Sequence, residues 1–72
     1  METDTKITHA SLAGQYRSTL VSDPTSGHSI VGLLFVSPEG WAYEFYLARG
    51  GVETRMPSLA TAIREFNKIV HP

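Results

Sequence analysis

The hydrophobic positions of this chain follow two patterns, one typical of strands and one typical of a helix. Four runs rich in β-branched and aromatic residues occupy positions 15–21, 29–36, 41–49 and 52–56. After them, apolar residues recur at spacings of four, three and four, at Leu59, Ile63, Phe66 and Val70. The pattern predicts an α+β fold: a four-stranded, or at least three-stranded, antiparallel meander with one C-terminal helix packed on one face.

Turn signals mark the ends of these elements. Residues 23–27 (DPTSG) and 37–40 (SPEG) combine proline with glycine, and Gly50-Gly51 is typical of a two-residue hairpin. Ser58 is a favourable helix N-cap with Pro57 just before it. The length of 72 residues allows one domain, expected over residues 7–72, with residues 1–6 as a flexible tail.

The last hairpin predicts which side chains share a face of the sheet. Pairing across Gly50-Gly51 places Phe45 opposite Met56 and Tyr46 opposite Arg55. Trp41 and Tyr43 then share a face with Phe45, and this face is expected to lie beneath the helix. Aromatic residues at alternate positions are also typical of RNA-stacking surfaces. A core role is favoured, because the apolar stripe of the helix needs a face to pack on.

The second strand is apolar on both sides, so its register depends on the turn at residues 37–40. A type I turn with a bulged Gly40 would pair Ser37 with Trp41. The face away from the helix, the outer face, would then carry Ile30, Leu34 and Val36. A four-residue loop would shift the register by one residue and exchange the two sets. The bulged turn is favoured, because Pro-Glu-Gly after serine suits it.

An apolar outer face on so small a chain predicts a contact surface. One helix covers one face, which leaves three sizeable apolar residues beside Tyr46 on the other. With Arg17 and Arg55 as rim groups, the expected partner-binding residues are Arg17, Ile30, Leu34, Val36, Tyr46 and Arg55. Residues 7–13 could cover this face instead. The chain has no cysteine, so a homodimer is the means of stabilisation that its composition permits most easily.

The sequence offers little that is typical of catalysis or metal binding. His9, His28 and His71 lie far apart, and no serine lies in a Gly-x-Ser-x-Gly motif. We therefore expect no enzyme activity, no metal, no cofactor and no small-molecule substrate. No apolar run approaches the length of a membrane span, and the N-terminus lacks the order of a signal peptide, so a cytoplasmic protein without membrane contact is expected. A net charge of −1 does not favour nucleic acid as a partner but leaves it possible.

The stretch from Trp41 to Phe66 resembles a known class of DNA-binding domain. An aromatic residue opens a strand, a Gly-Gly hairpin follows, and a serine-capped, alanine-containing helix ends the unit. This arrangement is similar to the arm-type domains of phage integrases and to the Apetala-like domains of plants. The resemblance implies DNA binding through the exposed sheet, where those domains carry basic residues. Here Glu44 and Glu53 share that face with Arg55 and Arg17.

Together these observations predict a small non-enzymatic protein-interaction module. Its expected role is that of a regulatory or inhibitory accessory protein, of the kind that phages and mobile elements encode. The alternative is a nucleic-acid-binding module of the sheet-plus-helix type.

Overall fold

The computed structural model describes residues 7–72, so the predicted tail at residues 1–6 lies outside the described residues. Four strands form one antiparallel sheet in the order β1-β2-β3-β4, and a helix follows. This architecture confirms the predicted α+β fold. The elements are β1 Gly14–Asp23, β2 His28–Ser37, β3 Gly40–Arg49, β4 Val52–Met56 and α1 Leu59–Val70.

The connections around β4 confirm the predicted turn and cap. Gly50 and Gly51 have φ of 55° and 87°, the two positive values that a type I′ hairpin requires. Phe45 pairs with Met56 and Tyr46 with Arg55, as predicted. The Ser58 hydroxyl oxygen accepts a hydrogen bond of 3.1 Å from the Thr61 N–H, and α1 begins one residue later.

The core lies where α1 packs on β2, β3 and β4. Ala62 and Phe66 of the helix are buried against Ile30 of β2. The side chains packed around these three are Phe45, Leu47, Met56 and Val70. The helix side of the sheet is therefore the side that carries Ile30, Phe45 and Leu47.

The predicted register of β2 on β3 is wrong. Ser37 pairs with Gly40, not with Trp41, and the loop is Pro38-Glu39 alone. Gly40 has φ of 153°, far from the left-handed value that a bulged turn glycine adopts. The alternative register with the exchanged faces is the observed one, so Ile30, Leu34 and Val36 lie on the helix side. The outer face instead carries the set Val31, Leu33 and Phe35, beside Ala42, Glu44 and Tyr46.

The helix covers only part of the sheet's length. It has 12 residues and is about 18 Å long, whereas a strand of 10 residues such as β3 spans roughly 33 Å. It follows β4, a strand of 5 residues that pairs only with the second half of β3, from Phe45 to Arg49. Residues 14–18, 32–37 and 40–44 therefore form a three-stranded end that the helix does not reach. We call this part of the sheet the open end.

Candidate functional site

The open end carries a group of large apolar side chains on the helix side of the sheet. In one row across the strands, Tyr16 pairs with Leu34 and Leu34 with Tyr43, while Val36 and Trp41 pair in the next row. Trp41 is 61% exposed and Tyr43 is 52% exposed, so the prediction that both lie beneath the helix is wrong. We use the name aromatic platform for the surface that these exposed rings form with two adjacent leucines. Its residues are Leu12, Tyr16, Leu34, Trp41 and Tyr43.

The rings of the platform are ordered by their strand. The Trp41 ring meets the Tyr43 ring edge to face, with centroids 5.5 Å apart and an interplanar angle of 81°. The Tyr43 ring stacks on Phe45 at 5.7 Å and 12°. Phe45 in turn packs against the core beneath α1. The exposed aromatic side chains are therefore an extension of the core, held by offset and edge contacts of the kind that aromatic pairs prefer.

Residues 7–13 border the platform. Thr8 and Ser11 exchange hydrogen bonds between backbone N–H and hydroxyl oxygen at 3.0 and 3.2 Å, which closes a single turn. The Tyr16 hydroxyl donates to the Leu12 carbonyl and ties this turn to β1. His9 and Leu12 then line a shallow cavity of about 320 Å³ together with Leu34, Val36, Trp41 and Tyr43. The segment thus lies on the helix side, not over the outer face.

Polar side chains of the strands cover the apolar residues of the outer face. Val31 is only 1% exposed, although no helix covers it. Arg17 of β1 forms an ion pair with Glu53 of β4, and the two residues reach each other across β2 and β3, a span of about 14 Å between the outermost strands. The sheet therefore curls so that this face is concave, with long side chains above its apolar floor.

A second polar group completes the cover of the outer face. The Tyr46 hydroxyl donates a hydrogen bond of 2.5 Å to Glu44, and Arg55 lies 3.5 Å from the other Glu44 oxygen. The hydrogen bond to Glu44 raises the pKa of Tyr46 above its ordinary value. Within residues 7–72, each strand residue among the large, exposed apolar side chains points to the helix side: Tyr16, Leu20, Val21, Trp41, Tyr43 and Val52.

The structure thus divides the predicted partner-binding residues between two faces. Arg17, Tyr46 and Arg55 lie together on the outer face, engaged with glutamates. Ile30, Leu34 and Val36 lie on the helix side: Ile30 in the core, Leu34 in the platform, and Val36 at the floor of the cavity beside it. The prediction that all six share one face is wrong, because it rested on the other register of β2.

Sequence reasoning missed the exposed part of the platform, namely Leu12, Tyr16, Trp41 and Tyr43. A length comparison would have found Trp41 and Tyr43. A hairpin of two ten-residue strands that is followed by a five-residue strand and a twelve-residue helix must extend beyond both. The position of Leu12 had no signal in the sequence, because it depends on the turn at residues 8–12 folding back beside β1.

The chain matches no family model, no curated protein and no solved structure. Within residues 7–72, no helix has the length and apolar character that crossing a membrane requires. The same residues contain no group of three or more histidine or acidic side chains placed to bind a metal ion. The physical character of the surface is therefore the basis for assigning a function.

Proposed function

We propose that this protein is a non-enzymatic protein-interaction module that self-associates through the aromatic platform. The observation that carries the proposal is the exposure of Trp41 and Tyr43 on the same side of the sheet as the core. Water contacts about half of two large aromatic side chains that their own helix is too short to cover. A second copy that packs on the platform would remove that surface from water.

The size of the platform suits a weak symmetric contact. A fully covered aromatic side chain buries roughly 150–250 Å², and four of the five platform residues are about half exposed, which leaves on the order of 500 Å² to bury on each copy. Two copies together would bury on the order of 1,000 Å², near the lower limit for a specific interface. We therefore expect a dissociation constant of about 1–100 µM.

The chemistry of the platform favours a second copy as the occupant. A two-fold contact places one surface against itself, which requires that the surface carry no uncompensated charge. Leu12, Tyr16, Leu34, Trp41 and Tyr43 carry no charge, while His9 and Glu39 lie at the margin of this surface. Dimerisation would also stabilise the fold, because a cysteine-free chain of 72 residues has only a small core.

A dimer of this kind would present the two outer faces to further partners. Each carries Arg17, Glu44, Glu53 and Arg55 in ion pairs above an apolar floor. A module that assembles itself and offers charged surfaces suits a regulatory or inhibitory accessory protein. This role is part of the proposal.

Light scattering coupled to size-exclusion chromatography tests self-association through the platform. The wild-type protein should pass from monomer to dimer as its concentration rises through about 1–100 µM. The double variant Trp41→Ser/Tyr43→Ser should remain monomeric with an unchanged far-ultraviolet circular dichroism spectrum. Val52→Ser is the matched control, because Val52 is 69% exposed at the other end of the sheet. A monomeric wild type, or a double variant that dimerises like the control, would contradict the proposal.

A second candidate function is the binding of single-stranded nucleic acid, because exposed rings at alternate strand positions can stack on bases. The charges weigh against it. Of the five arginine and lysine residues within residues 7–72, four lie in ion pairs with glutamates, namely Arg17, Arg55, Arg64 and Lys68. We expect no binding of single-stranded or duplex DNA tighter than about micromolar at physiological salt. Salt-sensitive submicromolar binding in an anisotropy titration would favour this second function.

A further inference from the structure

The aromatic platform contains a shallow cavity of about 320 Å³, which we call the platform cavity. It lies over β2, between the N-terminal turn and the exposed rings of β3. Leu34 and Val36 form its floor, and Val36 is only 8% exposed. Leu12 borders one side and Trp41 the other. The platform is therefore not flat, because it has a hollow beside its most exposed ring.

Both sides of the platform cavity are held in place within one copy of the chain. The Leu12 N–H donates hydrogen bonds of 3.2 Å to the Thr8 and His9 carbonyl oxygens, which closes the N-terminal turn. The Tyr16 hydroxyl donates to the Leu12 carbonyl and holds this turn beside β1. On the other side, the Tyr43 ring is stacked on a neighbouring ring that packs against the core. A preformed cavity of this kind costs little ordering when it is filled.

Two rings form a corner beside the cavity. The Trp41 ring makes an angle of 81° with the Tyr43 ring, and the centroids lie 5.5 Å apart. A flat contact between two platforms would leave the space beside this corner empty. Apolar atoms that line an empty space lose their dispersion contacts. A close contact with a second copy therefore requires a side chain that projects into the cavity.

Trp41 of the second copy is the side chain placed to fill this space. A two-fold axis that passes beside Trp41 brings the ring of each copy over the cavity of the other, since residues near such an axis meet their own equivalents. Trp41 is also the most exposed ring of the platform, at 61% against 52% for Tyr43 and 45% for Tyr16. The cavity volume lies at the lower end of the range of roughly 300–1,000 Å³ for ligand pockets, so it fits one ring system and not a helix.

We infer that Trp41 of each copy inserts into the platform cavity of the other copy. This inference rests on the proposed self-association and specifies the side chain and the cavity at its centre. Each Trp41 is then a wall of its own cavity and the occupant of the other, and the two indole rings pack together beside the axis. His9 also lines the cavity, and its imidazole can accept a hydrogen bond from the indole N–H, which usually has a partner when the ring is buried.

Insertion makes the dimer depend on the free volume of the cavity as well as on the apolar area of the platform. Leu34→Trp enlarges the apolar area but places a ring in the cavity, so the dissociation constant should rise about tenfold or more. Leu34→Met is the matched control, because it keeps the side-chain volume, and its dissociation constant should stay within about threefold of wild type. Size-exclusion chromatography with light scattering measures both, and circular dichroism shows whether each variant is folded.

Nuclear Overhauser effects between copies test the insertion directly in the wild-type protein. The sample mixes ¹³C-labelled and unlabelled chains at a concentration well above the dissociation constant, and isotope filtering keeps only the contacts between two copies. The indole protons of Trp41 should contact methyl groups of Leu12, Leu34 and Val36 in the other copy. Contacts to these methyl groups from Ile7 or Tyr16 in place of Trp41 would overturn the inference.

These experiments separate a failure of the inference from a failure of the proposed function. A wild type that stays monomeric contradicts both. A wild-type dimer without contacts between Trp41 and the cavity methyl groups overturns the insertion alone, and so does a folded Leu34→Trp variant that dimerises as readily as Leu34→Met. If Leu34→Trp does not fold, the contacts in the wild type decide.

Discussion

Phe66 and Trp41 show how differently two aromatic residues of this chain contribute to it. Phe66 is 8% exposed and packs with Ala62 on Ile30 at the centre of the core. Trp41 lies on the same side of the sheet, beyond the reach of the helix, and its ring touches Tyr43. The hydrophobic effect acts only on surface removed from water, so the two residues should differ in their effect on folding.

The first prediction compares alanine variants at these two positions. Phe66→Ala should lower the free energy of unfolding by roughly 3–5 kcal/mol, because it removes a buried ring and leaves a cavity. Trp41→Ala should lower that of the monomer by less than about 1 kcal/mol, as substitutions at exposed sites do. Urea denaturation at low protein concentration measures both. Equal losses would mean that Trp41 belongs to the core.

The second prediction concerns Asp23 in the β1–β2 turn. Hydrogen bonds from the hydroxyl and the backbone N–H of Ser26 hold the pKa of Asp23 below its ordinary value. A lowered pKa in the folded state adds stability above the ordinary pKa, and this stability is lost as the pH falls through the lowered value.

The measurement is the melting temperature of wild type and Asp23→Asn between about pH 7 and pH 2. Asparagine keeps an acceptor for the Ser26 N–H but does not titrate. The melting temperature of the wild type should therefore fall more steeply than that of the variant below about pH 4. Parallel curves would show that Asp23 does not contribute to acid unfolding.

At the scale of elements, the sequence correctly predicted the features that depend on neighbouring residues, namely a hairpin turn and the start of the helix. The Gly50-Gly51 hairpin and the start of α1 followed from glycine at positive φ and from a serine cap, and both are observed. The register of β2 did not follow, because its residues are apolar on both faces and a shift by one residue exchanges one apolar set for the other. The observed register is the one in which Pro38-Glu39 forms a two-residue loop between Ser37 and Gly40.

The same cause limited how much of the candidate site could be predicted. That this chain carries more apolar surface than one helix covers was readable from the sequence. The sequence did not show which face of the sheet carries this uncovered apolar surface. That depends on the register of β2 and on the side chains of Arg17 and Glu53, which meet across the outer face. Contacts between the two outermost strands have no local signal in the sequence.

The prediction at this scale concerns the cap of α1. Ser58→Ala removes the oxygen that accepts the Thr61 N–H and should lower the free energy of unfolding by about 1 kcal/mol. Ser58→Asp, which keeps an acceptor and places a negative charge at the helix N-terminus, should restore it. Urea unfolding of the three proteins checks the order. A Ser58→Ala variant as stable as wild type would mean that the cap does not limit the stability of the helix.

At the scale of the whole molecule, the sheet of the described residues has one face that its own side chains cover and one face that stays partly exposed. The outer face covers Val31 with ion-paired and hydrogen-bonded side chains. The helix side leaves the platform exposed and, on the other side of the Ser18–Gly32–Phe45 row, also Leu20, Val21 and Ile63.

Trp41 is the single tryptophan of the chain, so its fluorescence reports directly on the platform. At low protein concentration the emission should lie at the long wavelength of a water-exposed indole, and acrylamide should quench it efficiently. As the concentration rises through about 1–100 µM, the emission should shift to shorter wavelength and quenching should weaken, because the second copy covers the ring. An emission maximum and a quenching constant that stay unchanged over this range would contradict self-association through the platform.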